Sequence, residues 1–177
     1  MSIAPAKVLV PLTVLLAAGA LAVGSGATFS SETGNTISSV TSGTLLHSNS
    51  KDGLQIFGLN NIKPGDVVNG SVTITNTGSL PATFSLTETL SANAFTGDYL
   101  KLSVKNSTSG ATVYAGTFGG LVDGAKNDLG VVQPGVANTY VFSVSLAPEA
   151  PNTEQNKTAS ATYQWSSVQL DATTTNQ

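Results

Sequence analysis

Apolar and polar residues alternate with a period of two along most of this chain, which restricts it to strands that are half-buried against a core. Val72 and Ile74 alternate with Ser71, Thr73 and Thr75, and Phe84 and Leu86 with Thr83, Ser85 and Thr87. Leu100, Leu102 and Val104 alternate with Lys101, Ser103 and Lys105, and Tyr140, Phe142, Val144 and Leu146 with Val141, Ser143 and Ser145. Ala161, Tyr163 and Trp165 repeat the pattern opposite Thr162, Gln164 and Ser166. One helix candidate interrupts it, at 92–99. Between the alternating runs stand Asp52-Gly53, Pro64-Gly65, Asn76-Thr77-Gly78, Asp123-Gly124 and Pro134-Gly135, residues that supply the fixed or positive φ of a reversal. The glycine-rich segment 119–130 reads as a long loop or irregular hairpin. The spacing predicts an all-β fold, an antiparallel β-sandwich of jelly-roll or Ig-like topology; the pattern does not separate the two.

The chain contains no cysteine, so such a domain must be held by core burial and backbone pairing without disulfides. Burial of each inward Val, Ile, Leu, Phe or Tyr contributes roughly 1.5–3 kcal/mol, enough to stabilise a sandwich. Charge is sparse and slightly acidic, with 7 Lys, no Arg and a net charge of −3. A nucleic-acid partner or an anionic lipid surface requires a basic patch, and neither is expected here.

The first residues have a separate character. Lys7 precedes an apolar run over 8–23, followed by Gly24-Ser25-Gly26-Ala27. This is the layout of a secretory signal peptide over 1–27, with Ser25 and Ala27 as the small residues that precede cleavage before Thr28. The run contains Pro11 and Gly19 and passes into polar sequence, which disfavours a permanent membrane span. Ala20-Leu21-Ala22 offers a second small-x-small site, but it lies inside the apolar run. The mature chain is therefore expected outside the cell, in the matrix or on the surface, touching the membrane only through its leader. It would have about 150 residues, a length suited to one domain over 28–171. The tail 172–177 has no apolar pattern and is expected to be disordered.

Catalytic constellations are sparse. A zinc peptidase of the H-E-x-x-H kind needs two histidines one helical turn apart, and this chain has only His47, in a strand expected over 44–48. A Ser-His-Asp triad would need the same His47 without a G-x-S-x-G elbow. Asp123 and Asp128 flank Asn127 without the spacing of a calcium loop and read as a polar turn. Glu149 and Glu154 bracket a proline-containing loop and read as solvated charges. No cofactor, metal site or catalytic residue is assigned. Leu80-Pro81-Ala82-Thr83 begins like a sortase signal, but Phe84 stands where glycine is required, and the proline more simply starts a strand. Asn69-Gly70-Ser71, Asn106-Ser107-Thr108 and Asn156-Lys157-Thr158 match the glycosylation triplet and read as chance.

The ordered set of motifs resembles the TasA/camelysin family. It comprises Gly24-Ser25-Gly26-Ala27-Thr28-Phe29-Ser30, Asn35-Thr36-Ile37 and Ser42-Gly43-Thr44-Leu45, then Asn61-Ile62-Lys63-Pro64-Gly65-Asp66 and Thr75-Asn76-Thr77-Gly78-Ser79-Leu80. Gln133-Pro134-Gly135, Asn152, Gln155 and a final aromatic strand ending at Gln169 follow in the same order. The resemblance implies a secreted jelly-roll subunit, released by a dedicated signal peptidase of the SipW type, that assembles into biofilm-matrix filaments. Some members are described as metallo-endopeptidases; with no zinc motif here, that activity is not carried over.

In such filaments the N-terminal strand of one subunit inserts into its neighbour. Here that strand is 28–40, with Phe29, Ile37 and Val40 as candidates for a partner groove. A head-to-tail contact of this kind makes a homopolymer rather than a closed dimer. The same strand could instead pair within its own sheet. A second reading is a monomeric secreted module that binds a glycan or protein through exposed loop aromatics, for which Phe95, Tyr99 and Phe118 are the candidates, Tyr99 and Phe118 being equally open to core positions. A metallo-endopeptidase is the third.

Overall fold

Each alternating run becomes a strand in the computed structural model, which describes residues 42–56, 62–171 and 173. The leader 1–27 with Ser25, Ala27 and Thr28, the strand 28–40 with Phe29, Ile37 and Val40, and the tail 172–177 apart from Thr173 lie outside the described residues. In chain order the strands are β1 (His47–Asn49), β2 (Val67–Asn76), β3 (Ala82–Asn93), β4 (Leu100–Asn106), β5 (Thr112–Thr117), β6 (Lys126–Val132), β7 (Ala137–Leu146) and β8 (Ala159–Gln169). A 3-10 turn, Asn152–Glu154, lies between the last two.

All pairings are antiparallel. One sheet has the order β1-β2-β7-β4-β5 and the other β6-β3-β8, and the chain repeatedly crosses from one to the other. The inward faces carry the residues that the alternation selects: Val72 and Ile74, Leu100, Leu102 and Val104, and Tyr140 to Leu146 from the larger sheet, against Phe84, Leu86, Val132 and Trp165 from the smaller. Aromatic rings lock the two together. Tyr140 on β7 lies 4.8 Å from Trp165 on β8, and Phe142 lies 5.0 Å from Tyr163. Tilted pairs at these separations add about 0.5–1.5 kcal/mol each beyond their area burial.

Three expectations change. The helix candidate at 92–99 is not a helix: β3 runs on to Asn93, whose Oδ1 accepts the Phe95 N–H at 3.0 Å and starts a turn completed by Gly97 at φ +55. The segment 119–130 holds the first five residues of β6, which its glycines concealed. Gly130 there sits opposite Phe84, where the β3–β6 register shifts. Finally, the strand expected over 44–48 is β1 at His47–Asn49, preceded by a stretch paired to a loop rather than to a sheet.

That stretch explains two of the sequence motifs at once. Thr77 N–H and Gly78 N–H donate to Leu46 O, and Ser79 N–H to Thr44 O, each at 3.0 Å. Gly78 has no positive φ; it is required because a Cβ there would run into Thr44 O and lie 2.9 Å from Leu46 N. Asn76, 0% exposed, anchors the same corner. Its Nδ2 donates to Leu80 O and Val132 O, both at 2.9 Å, and its Oδ1 accepts the Gly78 N–H at 3.0 Å. Its backbone carbonyl accepts the Gly135 N–H at 2.8 Å, so the turns 76–80 and 133–135 close on one residue. Pro64-Gly65-Asp66 does the equivalent at the other end of β2, where Gly65 N–H donates to Leu146 O at 2.8 Å.

Replacing Asn76 leaves buried carbonyls without donors. Asn76→Ala is expected to cost roughly 2–4 kcal/mol and Gly78→Ala roughly 1–3 kcal/mol, read from urea unfolding midpoints at unchanged slope.

Candidate functional site

A five-stranded sheet facing a three-stranded one leaves part of the larger sheet uncovered, and the gap falls beside β8. Among the described residues β8 pairs with β3 along one side only, so none of their strands takes up the N–H and C=O groups of its other side. Strand β8 reads ASATYQWSSVQ over 11 residues, with no charge and no proline. Edges are ordinarily protected by lysines, prolines or shortness, and none of these protects β8.

Alongside this edge runs an open groove of about 760 Å³. One wall is β8 from Ala159 to Tyr163, the opposite wall is the segment from Asn49 to Ile56, and Val72, Phe118 and Trp165 lie beneath. The opposite wall is a hydrogen-bonded turn: Asn49 Oδ1 accepts the Lys51 N–H at 2.8 Å, and Ser50 exchanges bonds with Thr73, N to O at 3.0 Å and Oγ from the Thr73 N–H at 2.8 Å. Lys51 and Asp52 mark its rim, and Leu54 stands 68% exposed.

His47, the one histidine, lies on the β1 side of this gap. Its Nδ1 is 3.0 Å from Ser167 Oγ on β8, and its ring meets Phe84 edge-on at 5.7 Å. It ties the two sheets together. The loop aromatics are turned inward: Phe118 is in the core, and Phe95 and Tyr99 pack against it. Asp128 accepts the N–H of Gly130 at 2.9 Å, whereas Asp123 faces Ser91 with an Oγ–Oδ1 separation of 3.5 Å. Among the described residues no three His, Asp or Glu side chains converge as metal ligands, and no helix is long and apolar enough to cross a membrane.

Two carboxyl groups matter more than the alternation suggested. Glu154 is buried rather than solvated, which corrects the reading of 149 and 154 as a pair of surface charges. Its Oε2 accepts the Thr96 N–H at 2.9 Å, and both oxygens accept from Lys157 Nζ at 3.0 Å. The lysine also donates to Thr96 Oγ1 at 2.7 Å. This clamp joins the β3–β4 connection to the segment entering β8. The Thr96 amide, then Lys157, hold the Glu154 carboxyl below the usual glutamate range.

Glu88 is the opposite case and was hidden by its place in an alternating run. It is 0% exposed, on the inward face of β3 beyond Phe84 and Leu86, and directly across from Tyr163 on β8. Neither of its oxygens, nor the Tyr163 hydroxyl, makes a hydrogen bond of ordinary geometry. Desolvation raises its pKa above the usual value; the nearby Tyr163 and Ser91 hydroxyls oppose this, and the Asp123 carboxylate adds to it. A carboxyl at every second position of a strand, after two large apolar residues, is the sequence signal that marks it as buried.

Residues 7–92 match the camelysin metallo-endopeptidase family. The match ends inside β3, so Gln133-Pro134-Gly135 and the final aromatic strand lie beyond it. No curated protein matches the chain. Within the matched span, 43–46, 64–66 and 76–80 are the turns and contacts that set the ends of β2.

Because the folded-state pKa of Glu154 is depressed, its stabilising contribution is complete above the ordinary glutamate pKa and is lost as pH falls through the lower folded value. Glu154→Gln is therefore expected to flatten the acid limb of a melting-temperature profile, and to increase amide exchange at Thr96.

Proposed function

We propose, from the match of residues 7–92 to the camelysin family and the TasA/camelysin motifs of the sequence, that this chain is a secreted structural subunit that polymerises head to tail by donating the strand 28–40 to the edge of β8 in a neighbour. The observation that carries the reading is the combination of an 11-residue edge strand free of charge and proline with an open groove of about 760 Å³ along it. An extended segment laid there gains a row of main-chain hydrogen bonds, and its alternate side chains enter the groove. Phe29, Ile37 and Val40 supply apolar side chains for that purpose, over Val72, Phe118 and Trp165.

Cleavage before Thr28 by a dedicated signal peptidase frees the end of the donated strand, so release from the membrane and competence to assemble are one event. Assembly places the chain outside the cell, in matrix filaments. The subunit acts without a cofactor and is not an enzyme in this reading. The peptidase description belongs to the family, and a chelator-sensitive cleavage of casein that His47→Ala abolished would restore it for this chain. A monomeric binding module has less support, since Phe95, Tyr99 and Phe118 are used in packing.

Protein beginning at Thr28 is expected to form filaments in electron micrographs, while protein lacking 28–40 stays monomeric. Ala161→Lys, which sets an amine in the groove wall, is expected to abolish filaments while leaving the Trp165 emission of the monomer unchanged. Filaments of equal length from all three proteins would remove strand donation from consideration.

A further inference from the structure

Glu88 is a carboxylic acid inside a hydrophobic core with no cation beside it. The groups that face it are Tyr163 from β8, Tyr114 from β5, Asp123 from the connection before β6, and Ser91 from its own strand. Three are neutral hydroxyls and the fourth is a carboxylate. None of the described residues offers it a positive charge, so nothing here offsets the cost of burying an ionised group.

A bound metal ion is not the missing partner. Both Glu88 oxygens are sealed from solvent-sized space, as is the Tyr163 hydroxyl, which leaves no room between them for an ion or a water. A proton is the one neutralising species that fits. As the neutral acid, Glu88 has an O–H to share with the phenol opposite, and two otherwise orphaned polar groups satisfy each other.

The position matters because of what lies on either side. Tyr163 is a wall residue of the groove and packs on Phe142 at 5.0 Å. β3 shifts register against β8 between Glu88 and Leu90, so the ladder is already interrupted beside the carboxyl. Gly124 N–H donates to Glu88 O at 2.8 Å, which fixes the connection before β6 to the same residue. Tyr114, whose hydroxyl donates to Thr117 O at 2.7 Å, holds the far side. Any hydration of Glu88 has to move β8 at Tyr163, or the connection, or both.

We propose that Glu88 is a proton-operated latch on the groove: neutral, it keeps the β8 wall closed against the core, and on losing its proton it draws in water, releases Tyr163 and loosens that wall. The ligand of the latch is the proton itself. Glu88 acts this way within a single subunit, polymerised or not.

The sign follows from the buried acid. A carboxyl that holds its proton more tightly folded than unfolded favours the closed state at low pH, and the closed state weakens as pH rises from the ordinary glutamate value through the folded one. Between those two values the closed population relative to open falls by up to about tenfold per pH unit, and above the folded one it falls no further. The direction is opposite to that of Glu154, so the two acids are separable by mutation. Tyr163 does not confuse the range, since burial and Glu88 push its own pKa far up.

The test uses monomeric protein lacking 28–40, so that failure of filament assembly does not bear on it. Trp165, the chain's one tryptophan, reports from β8 two residues beyond Tyr163. Its emission, and exchange of the β8 amides corrected for intrinsic base catalysis, are followed from about pH 5 to about pH 9, below the ordinary range of tyrosine. Wild type is expected to show a single alkaline transition, with faster exchange over Ala161 to Trp165 and a red-shifted emission. Glu88→Gln and Glu88→Leu, neutral at every pH, are expected to lack it, and Glu154→Gln to retain it. A flat wild-type profile over that range overturns the latch, and so does the same transition in whichever Glu88 variant folds.

Discussion

The packing of β7 against β8 through four aromatic rings is the interaction on which the arrangement of this protein depends. Among the described residues β8 is held by one ladder, to β3, by the contact of Ser167 with His47, and by the contacts of Tyr163 and Trp165 with Tyr140 and Phe142. Those rings come from the middle strand of the larger sheet, flanked on both sides by partners, so they form a fixed platform. An edge strand with neither charge nor proline can remain ordered there without a second neighbour. Were the platform made of small side chains, β8 would have backbone bonds on one side and little else. The same packing leaves β8 available to another strand and places it beside the groove.

The corner around Asn76 is the complementary constraint. One buried amide side chain satisfies carbonyls from the β2–β3 connection and from β6, and its backbone meets the turn before β7. Gly78 permits the chain at 44–46 to pass close by. The segments 42–46 and 75–80, both inside the matched span and 31 positions apart in their bonded residues Leu46 and Thr77, are thus two halves of one contact. That contact fixes the path by which the chain enters β1. That path leads back directly to the segment proposed as the donated strand.

Charge enters the interior at two places with opposite consequences. Glu154 is bonded by an amide and a lysine and joins two loops; Glu88 has neither and is neutralised by its own proton. Alternation places Glu88 on the inward face of β3, whereas nothing local marks Glu154 as buried. Their environments separate them, because a carboxylate is stabilised by donors aimed at it and destabilised by a core that offers none.

Much of the fold was legible in the residues. Period-two alternation identified the inward residues of β2, β3, β4, β7 and β8, since successive side chains of a strand point to opposite faces whatever its partners are. Strand β6 was missed because Gly130 and the polar residues around it break the pattern, and 92–99 was misread because Asn93 bonds its own backbone two residues on. The inward packing of Phe95 was equally hidden, as were the burial of Glu154 and the unpaired carboxyl of Glu88, while core positions for Tyr99 and Phe118 were already open in the sequence. What the sequence by itself determined was the strand class, most of the core and the family motifs, all properties of residues near one another in the chain. The order β1-β2-β7-β4-β5 over β6-β3-β8, the exposed edge of β8, the groove and the two buried acids were decided only in the tertiary structure. Each depends on which distant strands meet, and local alternation is the same for a strand at a sheet's centre and one at its edge.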